Sequence, residues 1–247
     1  ILREESSVRS EYSALVLQVN RRFTNSLQFQ SSYTLARATD TGQNSLITTS
    51  IFNQPVDVFQ RKVYDFGPSN FDVRHKFVFS AVYAPKVYNG TENSFGDYVL
   101  NGWSFAPIYV IYSGAPYSGT GPSNLNGQNG DNRVPILPRN SFRLPAIKNL
   151  DLRVSKRINF SERYNVELLA EGFNVLNRTQ VFGQTGTFLA SPSSSTSTPP
   201  NSCVGVNGIA TNDANGLCFS PTFGAVSTTD SNKYRERQVQ FAIRFHF

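Results

Sequence analysis

The last eleven residues, RQVQFAIRFHF, leave little room for anything but a β-strand. Val239, Phe241, Ile243, Phe245 and Phe247 are apolar, and Gln238, Gln240, Ala242, Arg244 and His246 stand between them. Successive side chains of a strand point to opposite faces, so this spacing gives one greasy face and one mostly polar face. A helix would scatter both sets around its axis.

Six other stretches share the habit. Residues 150–160 set Leu150, Leu152, Val154, Ile158 and Phe160 against Asp151, Arg153, Ser155, Arg157 and Asn159. Residues 164–172 set Tyr164, Val166, Leu168 and Ala170 against Asn165, Glu167, Leu169 and Glu171. Residues 27–35 alternate with Gln28, Gln30, Ser32 and Thr34 on the polar side, and residues 12–23, 73–83 and 103–113 read as strands of lower contrast. A three-residue turn centred on Glu162 places Arg157 opposite Glu167 and Arg153 opposite Glu171. It also sets Val154 against Ala170 and Ile158 against Val166. Opposite charges meet twice without adjustment, and such cross-strand pairs stabilise by roughly 0.2–1 kcal/mol each.

The connections narrow the architecture. Thr24-Asn25-Ser26 and Ser161-Glu162-Arg163 are short, and residues 84–101 form a moderate link. Residues 39–72, 114–149 and 174–236 are long. Several structureless loops beyond about 15 residues argue against a compact soluble domain. Short turns at one rim and long loops at the other are the pattern of a membrane barrel. Composition agrees: charged residues are 16% of the 247, below the roughly 25% of soluble domains, while Ser, Thr, Asn and Gln reach 79 residues and aromatics 13%. No apolar run approaches the ~18 residues of a membrane helix. The fold class expected is therefore all-β, an antiparallel transmembrane outer-membrane β-barrel with long extracellular loops.

Seven strands fall short of the even numbers, from about eight upward, at which single-chain bacterial barrels close. The chain also contains no Met and begins at Ile1. Residues 1–247 are thus expected to be the C-terminal segment of a larger barrel of roughly 22 strands, the plugged-transporter size.

Four blocks carry a resemblance that spans almost the whole chain. They are YSALVLQVNRRFTNSLQFQSSYTLAR (12–37), DFGPSNFDVRHKFVFSAVY (65–83), GWSFAPIYVIYSGAPYS (102–118) and LDLRVSKRINFSERYNVELLAEGFNVLNRTQVFG (150–183), followed by the terminal strand. In this order the chain resembles the C-terminal barrel of Oar-like TonB-dependent outer-membrane receptors, the carboxypeptidase-regulatory-domain type. The resemblance implies a plug domain, an N-terminal extension and a TonB-contacting segment outside residues 1–247. It also implies that the row Phe241, Ile243, Phe245 and Phe247 is a signal read by the barrel assembly machinery. It supplies no substrate.

Candidate sites are few. Cys203 and Cys218, 15 residues apart in a Ser/Asn/Gly-rich stretch, are expected to form a loop disulfide in an oxidising compartment. Arg153, Arg157, Glu167 and Glu171 are expected on the lumen side, with Leu152, Val154, Val166 and Leu168 toward lipid. His75 and His246 lack partners at metal or triad spacing and read as structural or solvated. Residues 124–133 imitate part of a calcium loop but lack its terminal acidic ligand. Phosphate loops and nucleophile elbows are absent, so no catalytic, cofactor or metal site is expected, and the chain reads as non-enzymatic. Scattered basic residues argue against nucleic acid. Arg21, Arg22, Lys156, Arg157 and Arg163 gather toward the short-turn rim and read as interfacial anchors, with Phe23, Tyr83, Phe160 and Phe247 as an aromatic girdle.

Three functions fit this reading. The first is the wall and outer loops of an energy-coupled receptor that takes up an unidentified nutrient across the outer membrane. The second is a barrel used as an adhesin or surface interaction protein. A secreted β-sandwich carbohydrate-binding module of an enzyme is the third, and solubility without detergent distinguishes it from both.

Overall fold

The computed structural model describes residues 9–41, 60–90, 94–121, 133–134, 136–161, 163–190, 218–220, 222–229 and 236–247. Its elements in chain order are β1 (Ser10–Thr24), β2 (Leu27–Asp40), α1 (Arg61–Tyr64), β3 (Gly67–Pro68), β4 (His75–Tyr83), α2 (Phe95–Leu100) and β5 (Trp103–Tyr112). There follow β6 (Pro116–Tyr117), β7 (Phe142–Arg143), β8 (Ile147–Asn159), β9 (Asn165–Phe173) and β10 (Val181–Gln184). The last are β11 (Leu189–Ala190), β12 (Cys218–Phe219), β13 (Val226–Thr229) and β14 (Gln238–His246).

Seven long strands pair antiparallel in the order β1-β2-β4-β5-β8-β9-β14, with β3 added to the end of β2. Among the described residues β1 and β14 pair on one side only, so the sheet is open, and every residue of both strands is exposed. All seven coincide with the alternating stretches of the sequence. The ends differ: β2 runs on to Asp40 and β8 starts at Ile147. The alternation weakens there because both faces of the wall meet packed loops.

Pairing keeps the two faces separate from edge to edge. Leu17, Tyr33, Phe77, Ile111 and Lys148 lie in one cross-strand row, and rows nearer the turns carry Phe79, Tyr109 and Leu150, then Trp103, Lys156, Leu168 and Ile243. Rings meet along this face, Phe29 with Phe79 at 6.2 Å and Phe77 with Tyr109 at 6.4 Å between centroids.

The first hairpin corrects the expected turn. Its connection is two residues, Asn25 and Ser26, both at positive φ (51° and 65°), as the twist-matched type I′ turn requires. That turn pairs Thr24 with Leu27, a register setting even against odd. A one-residue shift between Arg21 and Thr24 restores odd against odd, pairing Arg21 with Phe29 and Val19 with Ser31. Without this bulge every side chain of β1 would turn to the wrong face. The β8–β9 hairpin adopts the register expected from the sequence: Arg153 faces Glu171, Arg157 faces Glu167, and Ile158 faces Val166.

Gly102, the residue before β5, has φ 77°, and a Cβ there would collide with the Arg157 carbonyl. The close approach lets the Arg157 amide reach the Gly102 carbonyl at 2.8 Å. A wall one strand thick has no interior. The buried side chains instead gather mainly where the long connections meet the sheet: Val134, Ile147, Leu189, Asp40, Asp65, Asp72, Arg133, Arg139 and Gln180.

Candidate functional site

Two charged arrangements stand out, one on the polar face of the wall and one at the long-loop rim. On the wall, β9 supplies two carboxylates, two turns of the pleat apart, and each is approached from both neighbouring strands. Glu171 accepts from Arg153 Nε on β8 and from Gln240 Nε2 on β14. Glu167 lies opposite Arg157 on β8 and Arg244 on β14, with Arg244 Nη1 3.7 Å and His246 Nε2 4.0 Å from its Oε2. Leu169 separates the two rows and is buried, with the small residues Ser155 and Ala242 opposite it on the neighbouring strands. The sequence placed Arg153, Arg157, Glu167 and Glu171 together. It missed Gln240 and Arg244, whose register against β9 depends on a connection too long to count across.

At the long-loop rim, three Asp–Arg pairs tie the first long connection to the second. Arg139 meets Asp40, Arg133 meets Asp65 and Arg143 meets Asp72. Every Asp comes from the β2–β4 segment and every Arg from the β5–β8 segment. Arg139 also donates to the Asp40 carbonyl at 3.2 Å, and Arg133 to the Tyr64 carbonyl at 3.0 Å. Asn140 donates to the Pro68 carbonyl and to Asn70 Oδ1, both at 2.7 Å. Asp72 is fully buried and accepts from the Ala38 amide at 2.6 Å, with Arg74 3.5 Å away. Burial opposes its charge, but the Ala38 amide and the Arg143 and Arg74 guanidiniums outweigh it and hold the carboxyl below the ordinary carboxylate range.

The third long connection joins the same cap through aromatic packing. Phe223 meets Phe142 at 4.8 Å and Phe188 at 5.1 Å, both edge to face, and Tyr117 lies 5.6 Å from Phe142. Burial raises the Tyr117 hydroxyl above its usual pKa. Thr120 bridges Arg133 and Thr187, which stitches the second and third connections along their backbones. Gln180 completes the corner after β9: its amide accepts from the Lys148 amide at 3.1 Å and donates to the Lys148 carbonyl at 2.5 Å, imitating a strand. The contacts between the long connections were not legible in the sequence, because most of them join residues about 30 to 100 positions apart.

The sequence model of a family described as "Outer membrane beta barrel domain" matches residues 1–137 and 135–240. The chain belongs to this family. No curated protein and no solved structure matches it.

The outer membrane beta barrel domain places the chain in the bacterial outer membrane. In such barrels short turns face the periplasm and long loops the exterior. The Asp–Arg cap of this domain is then its outer rim, and the Asn25-Ser26 turn, α2 and Phe247 are periplasmic.

The remaining sequence candidates fall as follows. His75 is held structurally, its Nδ1 2.8 Å from the Tyr33 hydroxyl and its amide bonded to Ser113 Oγ at 3.1 Å. Lys156 lies toward the short-turn rim, where the anchor reading put it, but it is 8% exposed and its ammonium is met by groups of the protein itself. Its ammonium lies 4.9 Å over the Trp103 ring and donates to the Val99 carbonyl at 3.1 Å and to the Asn101 carbonyl. Those carbonyls belong to a connection that the sequence left without contacts. Phe247, Phe245, Ile243 and Phe241 share the apolar face of β14 and are all exposed. Cys218 lies in β12, while Cys203, and with it the expected disulfide, lies outside the described residues. Most of the calcium-like stretch 124–133 lies outside them as well. Among the described residues no three His, Cys, Asp or Glu side chains are placed to hold a metal.

Proposed function

We propose that residues 1–247 are the C-terminal wall and outer loops of a TonB-dependent receptor of the Oar-like type, working in energy-coupled nutrient uptake. The observation that carries this reading is the pair of carboxylate rows on β9. Arg153, Arg157, Glu167, Glu171, Gln240 and Arg244 occupy one face of a wall whose other face is apolar. A narrow barrel fills its interior with packed side chains, whereas a face of charged, half-solvated groups suits a wide, watery lumen. In this reading that face lines the lumen, and the cap at the outer rim presents the binding surface for an unidentified nutrient. Its role is binding and passage, with no catalytic group.

The partners follow from the same reading. Outer-membrane lipid covers the apolar face, a plug domain fills the lumen, TonB supplies energy, and the barrel assembly machinery inserts the chain. The competing reading is a non-transporting barrel that serves as an adhesin or surface interaction protein, favoured by the well-packed cap. The coding sequence upstream of residue 1 separates the two. A plug domain and a TonB-contacting segment there, with site-specific crosslinking of the full-length protein to TonB, support transport. A barrel without either supports the adhesin.

A further inference from the structure

Trp103 and Lys156 face each other across β5 and β8 on the apolar side of the wall. Each carries a polar tip that hydrocarbon cannot satisfy, and both tips end on the same short helix. Trp103 Nε1 donates to the Val99 carbonyl at 2.9 Å, and Lys156 Nζ donates to that carbonyl at 3.1 Å and to the carbonyl of Asn101. Helix α2 is therefore fastened over the lipid-side face of the wall at the short-turn rim, and not beneath the lumen.

The connection that carries α2 is built to keep this position. Ser94 caps the helix, its Oγ accepting from the Asp97 amide at 3.4 Å. The Asn101 side chain accepts from the Val87 and Tyr88 amides at 2.8 and 2.9 Å and donates to the Tyr88 carbonyl at 2.8 Å and to Asp97 Oδ1 at 2.6 Å. Tyr88 packs its ring against Gly96, where a Cβ would come within 2.9 Å of it. The polar groups thus turn inward. The apolar ones turn out: Phe95 is 84% exposed, Val87 61%, and Val99 and Leu100 are also exposed. No residue of α2 is buried.

We propose that α2 and its flanks form a membrane foot, lying in the phospholipid headgroup–acyl boundary of the inner leaflet. Phe95, Val99, Leu100 and Val87 enter the acyl region, and Lys86 faces the phosphates. A lipid surface is the occupant because the patch continues the lipid-side face without a break, through Trp103, Phe105 and Tyr83, to the band that crosses the membrane. Exposed apolar side chains on a short helix with a nearby cation suit an interface more than water. The inference rests on the family's outer-membrane placement and is independent of whether the barrel transports anything.

The test uses the full-length barrel folded in phosphatidylcholine–phosphatidylglycerol vesicles, with Cys203 and Cys218 replaced by Ser. An environment-sensitive dye is attached at Phe95→Cys, or at Val99→Cys should the first variant lose its heat-modifiable folded band. A second preparation carries the dye at Gln28→Cys, on the polar face at the same rim. Bromine-labelled acyl chains should remove most of the emission at position 95 or 99 and leave that at 28 unchanged. Equal emission at both sites in brominated and plain lipid overturns the foot. Emission that instead depends on the protein-to-lipid ratio assigns the face to contact between copies, and also overturns it.

Discussion

Asp72 and Arg143 are 71 positions apart in the chain and form an ion pair at the outer rim, where the Asp72 carboxylate is sealed from solvent. Two like pairs, Asp40 with Arg139 and Asp65 with Arg133, stand beside it. Together they make the first and second long connections one body. Removing one partner of a fully buried pair costs about 3–5 kcal/mol, and Arg74, 3.5 Å from Asp72, and the Ala38 amide offset part of that here. Arg143→Ala should therefore open the cap to limited proteolysis while the strands stay protected. Proteolysis unchanged from the wild type would show that the cap does not depend on this pair.

The acid response of the cap follows from the same carboxylate. The Asp72 pKa is lower in the folded state than in the unfolded chain, so its contribution is complete above about 3.9 and declines as pH falls through the folded value. Hydrogen exchange at the Ala38 amide, which donates to Asp72, reads this directly. Protection at Ala38 should hold from neutral pH down to about pH 4 and weaken only below it. In Asp72→Asn the step should vanish. A loss of protection already near pH 6 contradicts the assignment.

The two faces of the wall make opposite demands on a new charge. Leu168 lies on the apolar face opposite Ile243, and Ala242 lies on the polar face opposite Leu169. An Arg at the bilayer midplane on the lipid side costs about 2–4 kcal/mol. Leu168 shares the row of Trp103 and Lys156 near the periplasmic rim, where the cost falls to about 0–1 kcal/mol. The midplane test is therefore Leu152→Arg in the middle of β8, which should lower the urea midpoint of the folded barrel, whereas Ala242→Arg should be mild. The reverse order would mean that the faces are assigned to the wrong sides.

Cys203 and Cys218 are expected to be joined. A bridge closing 15 residues contributes about 3 kcal/mol on the loop-entropy view, and here it would chiefly protect a Ser/Thr/Pro-rich segment from proteases. Two free thiols under oxidising conditions, counted by alkylation and mass, would remove the bridge from consideration.

Phe247 closes the apolar row of the terminal strand at the periplasmic rim and is 93% exposed. If the row is read during assembly, deleting Phe247 should sharply reduce the heat-modifiable barrel in outer membranes. Phe23→Ala, at the same rim on β1, should be mild. Equal losses from both changes would reduce Phe247 to one more girdle aromatic.

What the amino-acid sequence determined by itself was everything that depends on period two and on short turns. The seven strands, the faces of β8 and β9, and the pairing of Arg153 with Glu171 need only alternation and a turn of a few residues. Local geometry decides them. The tight Asn25-Ser26 turn and its compensating bulge are also local, but they are a choice between two hairpins whose faces come out the same.

The tertiary structure alone decided the contacts that close over long connections. The three Asp–Arg pairs, the aromatic cluster of Tyr117, Phe142, Phe188 and Phe223, and the partnership of Gln240 with Glu171 join residues for which no repeat or spacing survives in the chain. Lys156 shows the same limit on a smaller scale. Its place on an apolar strand face was readable, but the carbonyls of Val99 and Asn101 that hold its charge come from a turn more than fifty residues away. Side-chain period is a property of a strand, whereas a buried charge is tolerated only where folding happens to bring its partner.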